Sequence, residues 1–144
     1  MGLIYADIKL INALDMALFR KKKIPENGVK KIQVKTLVDC GAYMMSIPEH
    51  IKVQLDLDIV DYREAELTNG KVEKLPVAGP IEIVFKNRRA VINAFVTGNE
   101  VLLGAIPMEE LDVIIDPKKQ TLDVNPENPN MPKMKLEVQI NSAY

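Results

Sequence analysis

Short apolar runs separated by turn residues predict a mainly β domain with one or two short helices. Three observations carry this. Lys31 to Val38 alternates, with Ile32, Val34 and Thr36 on one face and Gln33, Lys35 and Leu37 on the other, the period of a strand with two unlike faces. Asn69-Gly70 lies between two further β-like runs, and a tight hairpin turn wants residues that tolerate positive φ. Pro25-Glu26-Asn27-Gly28, Gly79-Pro80 and Asp116-Pro117-Lys118-Lys119 punctuate the rest and leave short runs between them. Many short strands with few helices make a β domain, and a closed barrel is one way to arrange them.

The elements follow in order. Leu3 to Ile11 reads as a strand. Asn12 to Arg20 is ambiguous: Leu10, Leu14 and Leu18 recur four residues apart, and Asn12 or Asp15 can cap, so a short helix fits. After the alternating strand, Ser46-Ile47-Pro48-Glu49 matches a capping box, with Ser46 at the N-cap and Glu49 three residues on, and predicts a helix through Leu55. Arg63 to Thr68 and Lys71 to Val77 form the hairpin around Asn69-Gly70. Gly79-Pro80 should break the chain. Ile81 to Phe85 and Ala90 to Val96 make a second hairpin around Lys86-Asn87-Arg88. Val101-Leu102-Leu103-Gly104 is a short buried strand, Pro107 to Leu111 a turn or two of helix, and Val113 to Ile115 pairs with Thr121 to Val124.

Composition shifts at Asn125, which divides the chain into a domain over 1–124 and a tail over 125–144. The tail opens with Asn125-Pro126-Glu127-Asn128-Pro129-Asn130-Met131-Pro132, a proline-rich linker. A clean period-2 strand over 133–141 follows, with Met134, Leu136, Val138 and Ile140 alternating with Lys135, Glu137 and Gln139. It either closes the chain's own sheet or joins a partner's.

Whole-chain quantities narrow the function. The 144 residues suffice for one domain with a core. Nineteen basic against 20 acidic residues give a net charge of −1, no electrostatic footprint for nucleic acid or an anionic membrane. Trp is absent, so stacking platforms for single strands are not expected. No apolar run approaches the roughly 20 residues that span a bilayer, and the N-terminus carries no signal-peptide pattern. Cys40 is the only cysteine, which excludes an intrachain disulfide and points to a reducing, cytoplasmic setting. Cys40 and His50 are the only soft or imidazole ligands, so neither a metal nor another cofactor is expected.

The chemistry concentrates in Leu37-Val38-Asp39-Cys40-Gly41-Ala42. An acidic residue ends an apolar strand, and a turn of small residues can hold its carboxylate with backbone N–H groups close by. A cysteine nucleophile is the competing reading, but it needs a base, and His50 falls on the predicted helix and faces outward. Asp39 as a plain turn cap, Leu102-Leu103-Gly104 as ordinary core and Met44 and Met45 as core filling or pocket lining are the structural readings of the same residues.

The order of Thr36-Leu37-Val38-Asp39-Cys40-Gly41-Ala42, the hairpin at Asn69-Gly70 and Leu102-Leu103-Gly104 resembles the retropepsin-like aspartic peptidases, in particular their bacterial single-domain members. The resemblance runs from the first strand to Asn125. It implies a small closed β-barrel that is half an enzyme: a C₂ homodimer in which Asp39 meets its symmetry mate, the Asn69-Gly70 hairpin is a flap over an extended peptide substrate, and Leu102, Leu103 and Gly104 back the active-site turn of Cys40, Gly41 and Ala42. The family has Thr or Ser where this chain has Cys40, and that hydroxyl bonds across the dimer axis. A thiol is a weak donor and acceptor, so the resemblance implies a loosened axis and lower activity on an unchanged fold. A peptide-binding or scaffolding dimer without catalysis is the alternative, and an unrelated β-barrel binding module is the third reading.

Overall fold

The computed structural model describes residues 2–137. Its main sheet has seven strands in the order β1-β2-β7-β3-β6-β5-β4, and an added β1–β5 pairing closes all but β4 into a six-stranded barrel. The strands are β1 (Ile4–Asn12), β2 (Lys31–Val38), β3 (Met45–Ile47), β4 (Asp58–Glu66), β5 (Val72–Phe85), β6 (Arg88–Val96) and β7 (Leu102–Leu103). A separate hairpin joins β8 (Val113–Asp116) to β9 (Thr121–Val124). Three short helices complete the fold: α1 (Ala13–Arg20), α2 (Glu49–Gln54) and α3 (Ala105–Leu111). The predicted class, a mainly β closed barrel with short helices, is the one observed. Among the described residues no helix is long and apolar enough to cross a membrane.

Alternation sets the core. Ile4, Ala6, Ile8 and Leu10 of β1 point inward, where Met45, Ile47, Leu55, Ile81, Ile83 and Leu103 meet them fully or almost fully buried. Between Asn12 and Arg20 the helix forms: Asn12 Oδ1 accepts from the Asp15 N–H at 3.1 Å and caps α1, while its Nδ2 donates to the Leu55 carbonyl at 2.9 Å. One buried amide thus ties α1 to the end of α2. Glu82 ties α1 to the barrel wall. Its buried carboxylate accepts from Arg20 at 3.1 Å and from Arg89 at 3.0 Å, and both arginines are half exposed.

Three local expectations are corrected. Ser46 does not cap a helix: it lies in β3, paired with Phe95 of β6 on one side and Leu102 of β7 on the other. Pro48 holds the cap position of α2, with no side-chain hydrogen bond. Sheet pairing on both flanks outcompetes a local cap worth about 1 kcal/mol. Gly79-Pro80 does not end a strand either. β5 runs through it for 14 residues, with a register shift against β6 between Ala78 and Ile81, so the break is absorbed as a bulge. The hairpin tip is not a two-residue turn with positive φ at both centres. Only Gly70 has positive φ (+82°); the Gly70 N–H donates to the Leu67 carbonyl at 2.9 Å and the Leu67 N–H to that of Lys71 at 2.7 Å. This is a three-residue loop closed by a glycine bulge, and Asn69 contributes Oδ1, which accepts from the Lys71 N–H at 2.9 Å.

The stretch after β9 is bound to the barrel. Asp112 ends α3 in the left-handed conformation (φ 56°, ψ 58°), and its carboxylate accepts from Asn125 Nδ2 at 2.9 Å, Asn128 Nδ2 at 2.8 Å and the Lys133 N–H at 2.9 Å. Arg88, buried at the start of β6, donates through Nε to the Asp112 carbonyl and through Nη2 to the Asn128 carbonyl. Asn87 Nδ2 reaches the Pro129 carbonyl at 2.9 Å. Residues 132–137 adopt no regular secondary structure. The remainder of the predicted terminal strand, 138–141, lies outside the described residues.

Candidate active site

Asp39 follows directly on β2, and two interactions fix its backbone from below. β2 runs parallel to β7, with Leu37 opposite Leu102 and Val38 opposite Leu103, and the Asp39 N–H donates to the Leu103 carbonyl at 3.0 Å. Thr36, wholly buried, donates its hydroxyl to the Val101 carbonyl at 3.1 Å. The chain then turns: the Ala42 N–H reaches back to the Asp39 carbonyl at 3.2 Å, and the Gly41 N–H donates to Asp39 Oδ1 at 2.9 Å. One carboxylate oxygen is therefore oriented by the backbone and the other is left free on the exposed end of the turn.

Gly104 completes the support. After β7 the Ala105 and Ile106 N–H groups donate to the Ala42 and Tyr43 carbonyls at 2.7 and 2.9 Å. The two segments approach so closely that a Cβ on Gly104 would stand 2.7 Å from the Ala42 carbonyl oxygen and closer still to that of Met44. Only glycine leaves room there.

A cleft of about 660 Å³ opens above the turn. Asp39, Gly41 and Ala42 form part of its floor with Leu102; Ala65, Leu67, Thr68, Asn69 and Leu75 of the β4–β5 hairpin overhang it. Ala65 and Leu75 share the hairpin face opposite that of Tyr62, whose ring centre lies 5.3 Å from Lys74 Nζ, and they line the cleft together with Glu64 and Glu66. The cleft thus gathers Asp39, Gly41, Ala42, Asn69 and Leu102. Leu103 and Gly104 lie beneath it, and Gly70 stands at the hairpin tip outside its walls. Cys40 turns away. It is exposed and borders two grooves beside the turn, one with Leu3, Leu37 and Pro117, the other with α3 and β8. His50 is exposed on α2.

Tyr43, Phe95 and Thr97 also line the cleft and were not singled out by sequence. Tyr43 had a usable signal, a large aromatic directly after the small-residue turn, and it is 78 % exposed. Phe95 and Thr97 had none, because they reach the site only through the parallel pairing of β3 with β6. Met44 and Met45 divide the two roles sequence left open: both border the cleft, but Met45 is wholly buried.

The barrel, the carboxylate turn carried on parallel strands and the overhanging hairpin define a retropepsin-like fold. The structure superposes on the retroviral protease-like domain of Ddi1 from Leishmania major with a TM-score of 0.54 and 13 % identity, over 88 % of this chain and 90 % of that one. A retropepsin-like aspartic protease from Rickettsia conorii also matches, with a TM-score of 0.42 and 14 % identity over 81 % of this chain and 89 % of that one; the fold assignment rests on the first. No protein-family model matches the sequence, and no curated protein does.

Proposed function

We propose that this chain is one half of an aspartic endopeptidase, with Asp39 of each of two protomers forming the catalytic dyad. The observation that carries the reading is the Asp39 turn: an exposed carboxylate, one oxygen held by the Gly41 N–H at 2.9 Å, at the floor of a cleft overhung by a hairpin. One such carboxylate is not a hydrolytic site. Two facing each other at about 3 Å cannot both ionise and share a proton. The ionised member takes a proton from a water, whose oxygen attacks the scissile carbonyl. The protonated member donates to the carbonyl oxygen as it becomes a hydroxyl. Return of a proton to the amide nitrogen lets the C–N bond break. The pair titrates as a unit. The β4–β5 hairpin closes on an extended peptide and excludes water. Asn69 and Gly70 shape its tip, and Leu102, Leu103 and Gly104 hold the turn from below.

Asp39→Asn tests this. Cleavage of a broad peptide library at mildly acidic pH should fall to background while sedimentation still reports a dimer. A cleaving preparation that keeps its activity after the change rules the dyad out. Cys40 favours a second reading, a peptide-binding or scaffolding dimer on the same fold, because a thiol replaces only weakly the bond a hydroxyl makes. In that case neither the native chain nor Cys40→Thr cleaves any peptide, while both bind peptides in the cleft.

A further inference from the structure

The charge of the chain is balanced in total and uneven in place. Residues 13–31 hold six basic and two acidic residues, and the other residues hold 13 basic and 18 acidic. The fold gathers the basic excess around α1. At the C-terminal end of the helix the chain folds back: the Lys21, Lys22 and Lys23 N–H groups donate to the Ala17, Phe19 and Leu18 carbonyls at 3.0, 2.9 and 2.8 Å. Three consecutive exposed lysines thus crown that end. At the other end the Asn12 N–H donates to the Lys30 carbonyl at 2.9 Å and the Lys30 N–H to Asp15 Oδ2 at 3.0 Å. These bonds bring Lys30 and Lys31, also exposed, beside the first turn. Between the two groups Leu14 and Leu18, one turn apart on one face of α1, are 50 % and 41 % exposed.

Helix stability alone does not account for this pattern. The macrodipole favours cations at the C-terminal end and disfavours them at the N-terminal end, where Lys30 and Lys31 lie. Lys22 has a positive φ (61°) just past the helix, where glycine is the favoured residue, so a lysine there costs the fold some stability. Arg20 is committed elsewhere, to Glu82.

We propose that this surface docks on an anionic lipid bilayer, with Leu14 and Leu18 entering the boundary between headgroups and acyl chains while the lysines at both ends of α1 meet the lipid anions. Interfacial binding takes apolar area together with attraction to anionic headgroups, and this face supplies both. A nucleic acid backbone would satisfy the same lysines, but its phosphates give the leucines nothing to enter. Lysine is also a point charge, without the planar fork that reads base edges. Docking leaves the cleft free. β2 starts at Lys31, and Asp39 lies about 26 Å further along at 3.3 Å per residue, at the opposite end of the strand. The inference stands whether or not Asp39 belongs to a dyad.

The test uses the full chain, whose lack of Trp lets Leu18→Trp serve as a fluorescent probe. Its emission should shift to the blue with vesicles of phosphatidylcholine and phosphatidylglycerol in roughly equal parts, and stay fixed with phosphatidylcholine alone. Tyr62→Trp, on the β4–β5 hairpin, should shift with neither. In flotation with the anionic vesicles, Lys21→Gln/Lys22→Gly/Lys23→Gln should partition about a hundredfold more weakly than the native chain, and Leu14→Gln/Leu18→Gln about tenfold more weakly. Circular dichroism checks that both variants fold, and Lys22→Gly relieves backbone strain in the first. A native chain indifferent to the anionic vesicles overturns the proposal. So does binding that falls with the lysines but not with the leucines, or a Leu18→Trp emission that does not move. Tighter binding to random-sequence duplex DNA than to these vesicles, undiminished in the leucine variant, assigns the lysines to nucleic acid and overturns it as well.

Discussion

Gly104 stands directly beneath Ala42: a Cβ at position 104 would lie 2.7 Å from the Ala42 carbonyl oxygen, inside any real carbon–oxygen contact. The neighbour is backbone, itself bonded to the Ala105 N–H, so it cannot move aside as a flexible side chain would. Gly104→Ala should therefore displace the active-site turn and destabilise the domain by about 3 kcal/mol, the upper part of the usual overpacking range. Urea denaturation measures the loss. Gly98→Ala gives a control glycine with nothing within 4 Å, strained only by its φ of +75°; it should cost about 1 kcal/mol.

Cys40 is exposed beside the Asp39 turn. Cys40→Thr restores a hydroxyl without changing the turn. If two such hydroxyls bond across the axis, dimer affinity should rise by about 2 kcal/mol, at about 1 kcal/mol each, and peptide cleavage should rise with it. Sedimentation equilibrium and a cleavage assay on the two proteins provide the comparison.

The Asp112 carboxyl is held below the usual carboxylate range, first by the Asn125 side-chain amide, then by the Lys133 N–H, with Asn128 and the Arg88 charge adding to them against the opposing effect of burial. A depressed folded-state pKa gives stability that is present above the unfolded value, near 3.8, and is lost as pH falls through the lower folded value. The Tm difference between the native chain and Asp112→Asn should stay constant from neutral pH to about pH 5 and shrink below about pH 4. A difference already gone at pH 5 would show that Asp112 does not hold this segment through its charge.

Glu82 and its two arginines predict an asymmetry. Glu82 is 2 % exposed, whereas Arg20 and Arg89 are 54 % and 52 % exposed. Removing both arginines strands a buried carboxylate, and Arg20→Ala/Arg89→Ala should cost about 3 kcal/mol or more. Glu82→Gln leaves both arginines free to turn to water and should cost less. Denaturation of both variants decides the order.

Much of this was legible in sequence because the signals are local. The alternation of Lys31–Val38 and the β5–β6 and β8–β9 hairpins stand where expected, and of the two cap candidates Asn12 is the one that caps α1. What was not legible depends on contacts distant in the chain. Met45-Ser46-Ile47 is too short to show a period, and its identity as a strand comes from β6 and β7, more than 40 residues away. Pro80 reads as a breaker until the strands pairing with β5 on either side are known. The cluster of Arg88, Asp112, Asn125 and Asn128 has no spacing rule; a left-handed residue at the end of α3 and a chain returning beneath β6 create it.

The barrel closes through β1 and β5, and β4 is attached only to β5. Its loss would leave every hydrogen bond of the ring in place. The domain should therefore divide into two parts of unequal stability, a closed ring and an outer ribbon that opens more readily and uncovers Ile59 as it does so. The cleft lies on the boundary between them, so amide protection should fall sharply from its floor to its roof.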